Sequence, residues 1–413
     1  MHPFELKGCE TMAKKQKLWL IAILFVIAFG GFFLLQRSIP DYVNMVQGEE
    51  GDLNLNVPFK YFVEEEVVPA GNQNKSNIPK GAVKISCKLL GVIPIKEIAV
   101  NTVERTAVIP GGFPVGVYMK TEGILVVGTG TVGGMDGLEY EPAVNIVQSG
   151  DYIIGVNGTS VDTKEALIAK VNESKGESVT LQVSRNKEVI KLQLVPVQTE
   201  KNQYRLGVWV RDDTQGIGTL TFIDRNGGFG ALGHGISDVD TGSLLSIKSG
   251  TLYKTEILSI TKGERGVPGE LSGVIRYQPG EVLGEIRENT NEGIFGSINE
   301  RLSSMMNKNK VEIAYKQEIK QGSATILCAI DGKVEEYSVE IEKIYLNSKE
   351  VNKSMVIRVT DEELLSKTGG IVQGMSGSPI LQNGRLIGAV THVFVQDSTS
   401  GFGIFIENMI NVD

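Results

Sequence analysis

Gly374-Met375-Ser376-Gly377-Ser378-Pro379 is the stretch that decides the fold of this 413-residue chain. A serine set between glycines and followed shortly by proline suits neither a helix nor a buried strand; it suits a tight loop. Nucleophilic acyl transfer needs a hydroxyl on such a loop, with backbone N–H groups aimed at the oxyanion that develops. Glycines let those N–H groups turn inward without a Cβ clash. Ser376 is therefore the candidate nucleophile and Ser378 its rival, with the N–H groups of Gly374 and Ser376 as oxyanion donors. The segment that follows, Ile380 to Val390, reads as strand, turn at Asn383-Gly384, strand. An ordinary Gly/Ser turn is the competing reading.

A serine loop feeding a β-hairpin resembles the nucleophile region of chymotrypsin-like peptidases, whose pattern is Gly-Asp-Ser-Gly-Gly-Pro. Ser378 stands in the place of the second glycine. Met375 stands in the place of the aspartate that receives a new N-terminal amine in trypsin-like zymogens, so that activation route is not expected.

Composition agrees with a turn-rich β protein. The chain holds 49 glycines, 41% hydrophobic and 22% charged residues, and few aromatics. A net charge of −8 argues against nucleic acid as the main partner. Three cysteines, Cys9, Cys87 and Cys328, show no metal-type spacing, and no metal or cofactor is expected.

Residues 1–17 end in Lys14, Lys15 and Lys17, and residues 18–35 are apolar and uncharged. That run is just long enough to span a bilayer, and the lysines place residues 1–17 in the cytoplasm with the remainder exported. A retained anchor is preferred to a cleaved signal peptide, since no small-x-small site follows the run. Met12 is an alternative start. Residues 36–100 read as a juxtamembrane β-rich module. In it Leu53–Val57 alternates like a strand, Ala70–Lys80 is a loop, and Val83–Val92 is a strand that buries Cys87.

Residues 101–198 resemble a PDZ domain. The likeness rests on the glycine-rich loop and strand Gly112-Phe113-Pro114-Val115-Gly116-Val117, on Ser149-Gly150-Asp151 and Val156-Asn157-Gly158, and on helical periodicity in Thr163–Ser174. In that family a peptide chain end adds as a strand, its carboxylate held by backbone N–H groups, so Gly112 to Val117 are the expected peptide-binding residues.

Residues 199–413 alternate as short strands broken by glycine turns, the pattern of a barrel or a sandwich. A serine nucleophile needs a base, and the exported part contains two histidines, His234 and His392. His234, in Ala231-Leu232-Gly233-His234-Gly235, is the expected base. His392, in the apolar run Ala389–Val395, reads as a subsite or core residue. Asp361 is the candidate orienting acid, although Asp361-Glu362-Glu363-Leu364 equally suits a helix N-cap; Asp224, Asp238 and Asp240 are alternatives.

An N-terminal anchor, a PDZ segment, the His234 stretch and Gly370–Ile380 together closely resemble the stage IV sporulation protein B family of signalling serine peptidases. The resemblance implies Ser376, His234 and Asp361 as the catalytic residues. It also implies self-cleavage and cleavage of a membrane regulatory protein that restrains sigma-K processing, in the space between forespore and mother cell. The expected architecture is mainly β: a transmembrane helix, a PDZ domain and a chymotrypsin-like β-barrel peptidase domain. The alternative is a membrane-anchored PDZ scaffold whose peptidase-like domain is inactive.

Overall fold

A computed structural model describes residues 4–48, 61–67, 83–89, 92–305 and 309–410. The strand expected at Leu53–Val57 and the loop at Ala70–Lys80 lie outside the described residues. The chain divides into two compact units.

The first unit comprises residues 1–105 with 315–319 and 344–349. It opens with the helix Phe4–Ser38, whose part Leu18–Ser38 has a mean hydropathy of 2.8 and is long and apolar enough to cross a membrane. Behind it, Tyr42–Val46, Ile93–Val103, Val83–Leu89 and Tyr61–Val67 form a four-stranded sheet in that spatial order. Its core gathers Ile39, Val43, Ile85, Ile98 and Val100, with Cys87 buried among them as the alternation predicts.

The second unit contains two six-stranded rings. In one, the strands Pro114–Thr129, Ile247–Thr261, Val282–Thr290, Gly293–Ile298, Gly228–Ala231 and Val208–Ile223 pair in that order, and the last pairs again with the first. Apolar residues of alternate positions, among them Val115, Val117, Met119, Leu220, Leu252 and Ile286, fill its interior. The other is a closed barrel of Gly322–Cys328, Glu335–Ile344, Met355–Val359, Asp397–Phe405, Arg385–Phe394 and Pro379–Gln382. Its Asn383-Gly384 turn has φ of 52° and 75°, the left-handed pair a two-residue hairpin demands.

Between the two long strands of the first ring sits a smaller module. The far half of Pro114–Thr129 pairs with Tyr152–Val156, which continues to Val179–Arg185 and Glu188–Leu194. The helix Lys164–Glu173 covers this sheet, capped by Thr163, whose hydroxyl accepts the Ala166 N–H at 3.2 Å. Leu167 and Val171 face a core with Ile124, Ile153, Leu181 and Val183.

This layout corrects one expectation. Val115, Gly116 and Val117 pair with Gly218, Ile217 and Gly216 on one side and with Lys254, Tyr253 and Leu252 on the other. A strand bonded on both edges offers no row of free N–H and C=O groups to a peptide, so Gly112 to Val117 are not a peptide-binding loop. Those residues build the first ring.

Candidate active site

The nucleophile loop lies between the helix Glu362–Thr368 and the strand Pro379–Gln382. It is gripped from the first ring by neighbouring threonines of one strand. Thr219 donates its N–H to the Ser376 carbonyl at 2.9 Å and its hydroxyl to the Gly374 carbonyl at 2.8 Å. The Thr221 hydroxyl donates to the Gly377 carbonyl at 2.8 Å. Gly374 and Gly377 take φ of 98° and 96°, which glycine adopts without strain. Met375, Gly377 and Ser378 donate their N–H groups to Val372, Met375 and Val390 carbonyls, with Gly377 bonded to Val390 and Ser378 to Met375. Among the described hydrogen bonds, the N–H groups of Gly374 and Ser376 are uncommitted, which is what oxyanion donors require.

Ser376 is half-buried, and its hydroxyl donates to the Thr391 carbonyl at 2.8 Å. Ser378 is 0% exposed, and its hydroxyl has no hydrogen-bond partner among the described residues. A substrate carbonyl cannot reach it, so of the two serines only Ser376 is placed for attack.

His234 comes to this loop through an unusual turn. Leu232 has φ of 71°, and the Gly233 N–H reaches back to the Ala231 carbonyl at 2.9 Å, a γ-turn with a left-handed non-glycine centre. Such strain persists only where surrounding structure imposes it, and it concentrates at functional sites. The Leu232 N–H is tied to the carbonyl of Thr219, the residue whose N–H holds Ser376, at 3.2 Å. The His234 ring packs on that of His392, with centroids 4.7 Å apart. His392 follows Thr391, the acceptor of the Ser376 hydroxyl.

His234 Nδ1 lies 2.8 Å from the Gly235 carbonyl, which assigns the proton to Nδ1 and leaves Nε2 as a free acceptor. That is the tautomer of a general base. Burial pushes the His234 pKa below its usual 6.5, with the Gly235 carbonyl opposing in part. Burial and the neighbouring His234 bring His392 to about 4. A base must be neutral to accept the serine proton, and a lowered pKa keeps it neutral to lower pH. Cleavage is therefore expected to persist below pH 6.5 and to fall only as His234 takes a proton there. A pH–rate profile of self-cleavage reads this, and a half-maximal point at or above 6.5 would contradict it.

The carboxylates are placed differently from the catalytic reading. Asp361 caps the helix Glu362–Thr368: one oxygen accepts the Leu364 N–H at 3.0 Å and the other the Ser338 N–H at 3.2 Å. Asp224 accepts the N–H groups of Asn226 and Gly228 in a turn, and Asp238 and Asp240 pair with Arg211. None of these four has His234 among its described partners. The group that orients the imidazole is a backbone carbonyl, which no motif in the sequence announces. Asp361→Asn retains the cap and is expected to leave the cleavage rate within about threefold, while Asp361→Ala costs ~1 kcal/mol of stability. An orienting acid would instead lose ~10⁴ in rate on change to Asn; thermal melts with cleavage assays separate the two.

The profile of the family described as SpoIVB peptidase S55 matches residues 202–410, half of the chain. The chain belongs to the SpoIVB peptidase S55 family. The family is described as one of peptidases. No curated protein matches the sequence. Among solved structures, one described as "HtrA-type protease AlgW with decapeptide" is 12% identical, with a TM-score of 0.27, over 49% of this chain and 53% of that one. The chain thus spans about half the length of that structure, and so low a score carries no weight for the fold.

Proposed function

We propose that the chain is a membrane-tethered serine endopeptidase in which His234 Nε2 takes the Ser376 proton as Ser376 attacks a peptide carbonyl. The N–H groups of Gly374 and Ser376 receive the oxyanion, and protonated His234 then gives its proton to the leaving amine. The observation that carries this reading is the meeting, at Thr219, of the Ser376 loop and the Leu232–His234 turn. The Leu18–Ser38 segment would hold the protein at the membrane with the catalytic part exported. Cleavage of its own chain, and of a membrane regulatory protein in the sigma-K processing complex, is the role the family resemblance suggests.

The module between the two long strands is the PDZ candidate. Its groove runs between Leu167, Ile168 and Val171 of the helix and Leu206 to Val210, with a volume of about 430 Å³. Chain ends would bind there, beside Val208–Val210. A second reading, an inactive scaffold, is favoured only by the Ser376 hydroxyl resting on Thr391 rather than on His234. Mixing wild-type protein with a tagged Ser376→Ala chain tests the choice. A peptidase cuts the tagged chain at discrete bonds and Ser376→Ala alone does not, whereas a scaffold leaves the tag intact in both.

A further inference from the structure

Asp238 and Asp240 do not serve His234 directly; they close on one cation. The Arg211 guanidinium pairs with Asp238 through one nitrogen and with Asp240 at 2.9 Å through another. The Asp238 side chain is 0% exposed, so its charge depends on that partner. Its other oxygen accepts the N–H groups of Asp240 at 3.1 Å and Thr241 at 2.9 Å. Closer to the base, Asn289 accepts the Ile236 N–H at 2.8 Å and donates to the Ile236 carbonyl at 2.8 Å. The segment from Leu232 to Asp238 is thus held at Leu232 by Thr219, at Ile236 by Asn289 and the Leu245 N–H, and at Asp238 by Arg211 together with backbone bonds to Ser243 and Gly242. Between the first two pins lies Gly235, whose carbonyl sets the His234 tautomer.

We propose that Arg211 is a positioning residue for the base: by clamping Asp238 and Asp240 it holds the His234–Asp238 segment, and with it the Gly235 carbonyl, in register with Nδ1. The inference rests on the reading of His234 as base and Ser376 as nucleophile. Arg211 lies on the same strand, Val208–Ile223, as Thr219 and Thr221, which grip the nucleophile loop. One strand therefore sets the two catalytic segments against each other. Val208, Trp209 and Val210, next to Arg211, line the groove beside the helix Lys164–Glu173.

The test is covalent labelling of the full chain by a fluorophosphonate, which reports activation of the serine by its base without needing a known substrate. Arg211→Ala is expected to lower the maximal labelling rate ten- to a hundredfold with the half-saturating concentration unchanged, the scale of a base displaced by ~1 Å. Arg211→Lys, able to reach one carboxylate, is expected to recover part of that loss. Melting curves give the folded fraction used to normalise each rate. Should Arg211→Ala fail to fold, Asp238→Asn removes the ion pair without leaving a buried charge, and about a tenfold lower maximal rate is expected. Wild-type maximal rates in the folded Arg211 or Asp238 variants would overturn the positioning role. A wild-type chain that is never labelled would sink the nucleophile assignment itself, and this inference with it.

Discussion

Ser376→Ala is expected to abolish self-cleavage, while Ser378→Ala leaves it within about threefold of wild type. The two serines share one loop, and burial separates them. Ser376 is half-buried with its hydroxyl on the Thr391 carbonyl, whereas Ser378 is 0% exposed and its hydroxyl has no partner among the described residues. Loss of a serine nucleophile removes ~10⁴- to 10⁶-fold in rate, because oxyanion donors and binding alone sustain little of the reaction. Loss of the Ser378 hydroxyl removes a buried polar group without a partner among the described residues, which is neutral or stabilising. Gel and mass analysis of the two variants and His234→Ala over a time course would show wild type and Ser378→Ala cut, the other two intact. Cutting that stops with Ser378→Ala and continues with Ser376→Ala would reverse the assignment.

Gly377→Ala is expected to lose at least a hundredfold in activity and to lower the melting temperature as well. With φ of 96°, alanine at this position is strained by ~1–3 kcal/mol. Its Cβ would also collide with the Thr219 carbonyl and the Leu232 nitrogen, both backbone atoms with no rotamer to escape into. These two atoms form the hydrogen bond that pins the histidine turn, and Thr219 also docks the nucleophile loop through its N–H and hydroxyl. The substitution therefore drives apart the two segments that must meet, by a distance on the scale that costs ~10² in rate. Cleavage kinetics and a thermal melt check this, and a variant with wild-type values in both would show that the loop does not depend on this close approach.

The hairpin after Ser378, the cap of the helix Glu362–Thr368, and the placement of Cys87 were legible because each is a local matter. Asn-Gly demands one turn, a side-chain oxygen three residues before a free N–H makes a cap, and alternation picks a face. The tight turn at Gly374–Gly377 was legible for the same reason, as glycines mark where backbone must come close. The strand Pro114–Thr129 was not. A period of two says that a segment is a strand, not which sheet it joins, and this strand gives its first half to one ring and its second half to the inserted module. The orienting group of His234 also escaped the sequence, since a backbone carbonyl carries no residue type. Asp238 and Asp240 were singled out, but their partner Arg211 lies on a strand whose contacts only the folded chain brings together.

Locating the fluorophosphonate adduct by peptide mass mapping tests the central claim most directly. A single adduct on Ser376 in the wild-type chain, lost in His234→Ala and kept in His392→Ala, is the result that a Ser376–His234 peptidase predicts. An adduct on another residue, or labelling that survives removal of His234, would contradict it.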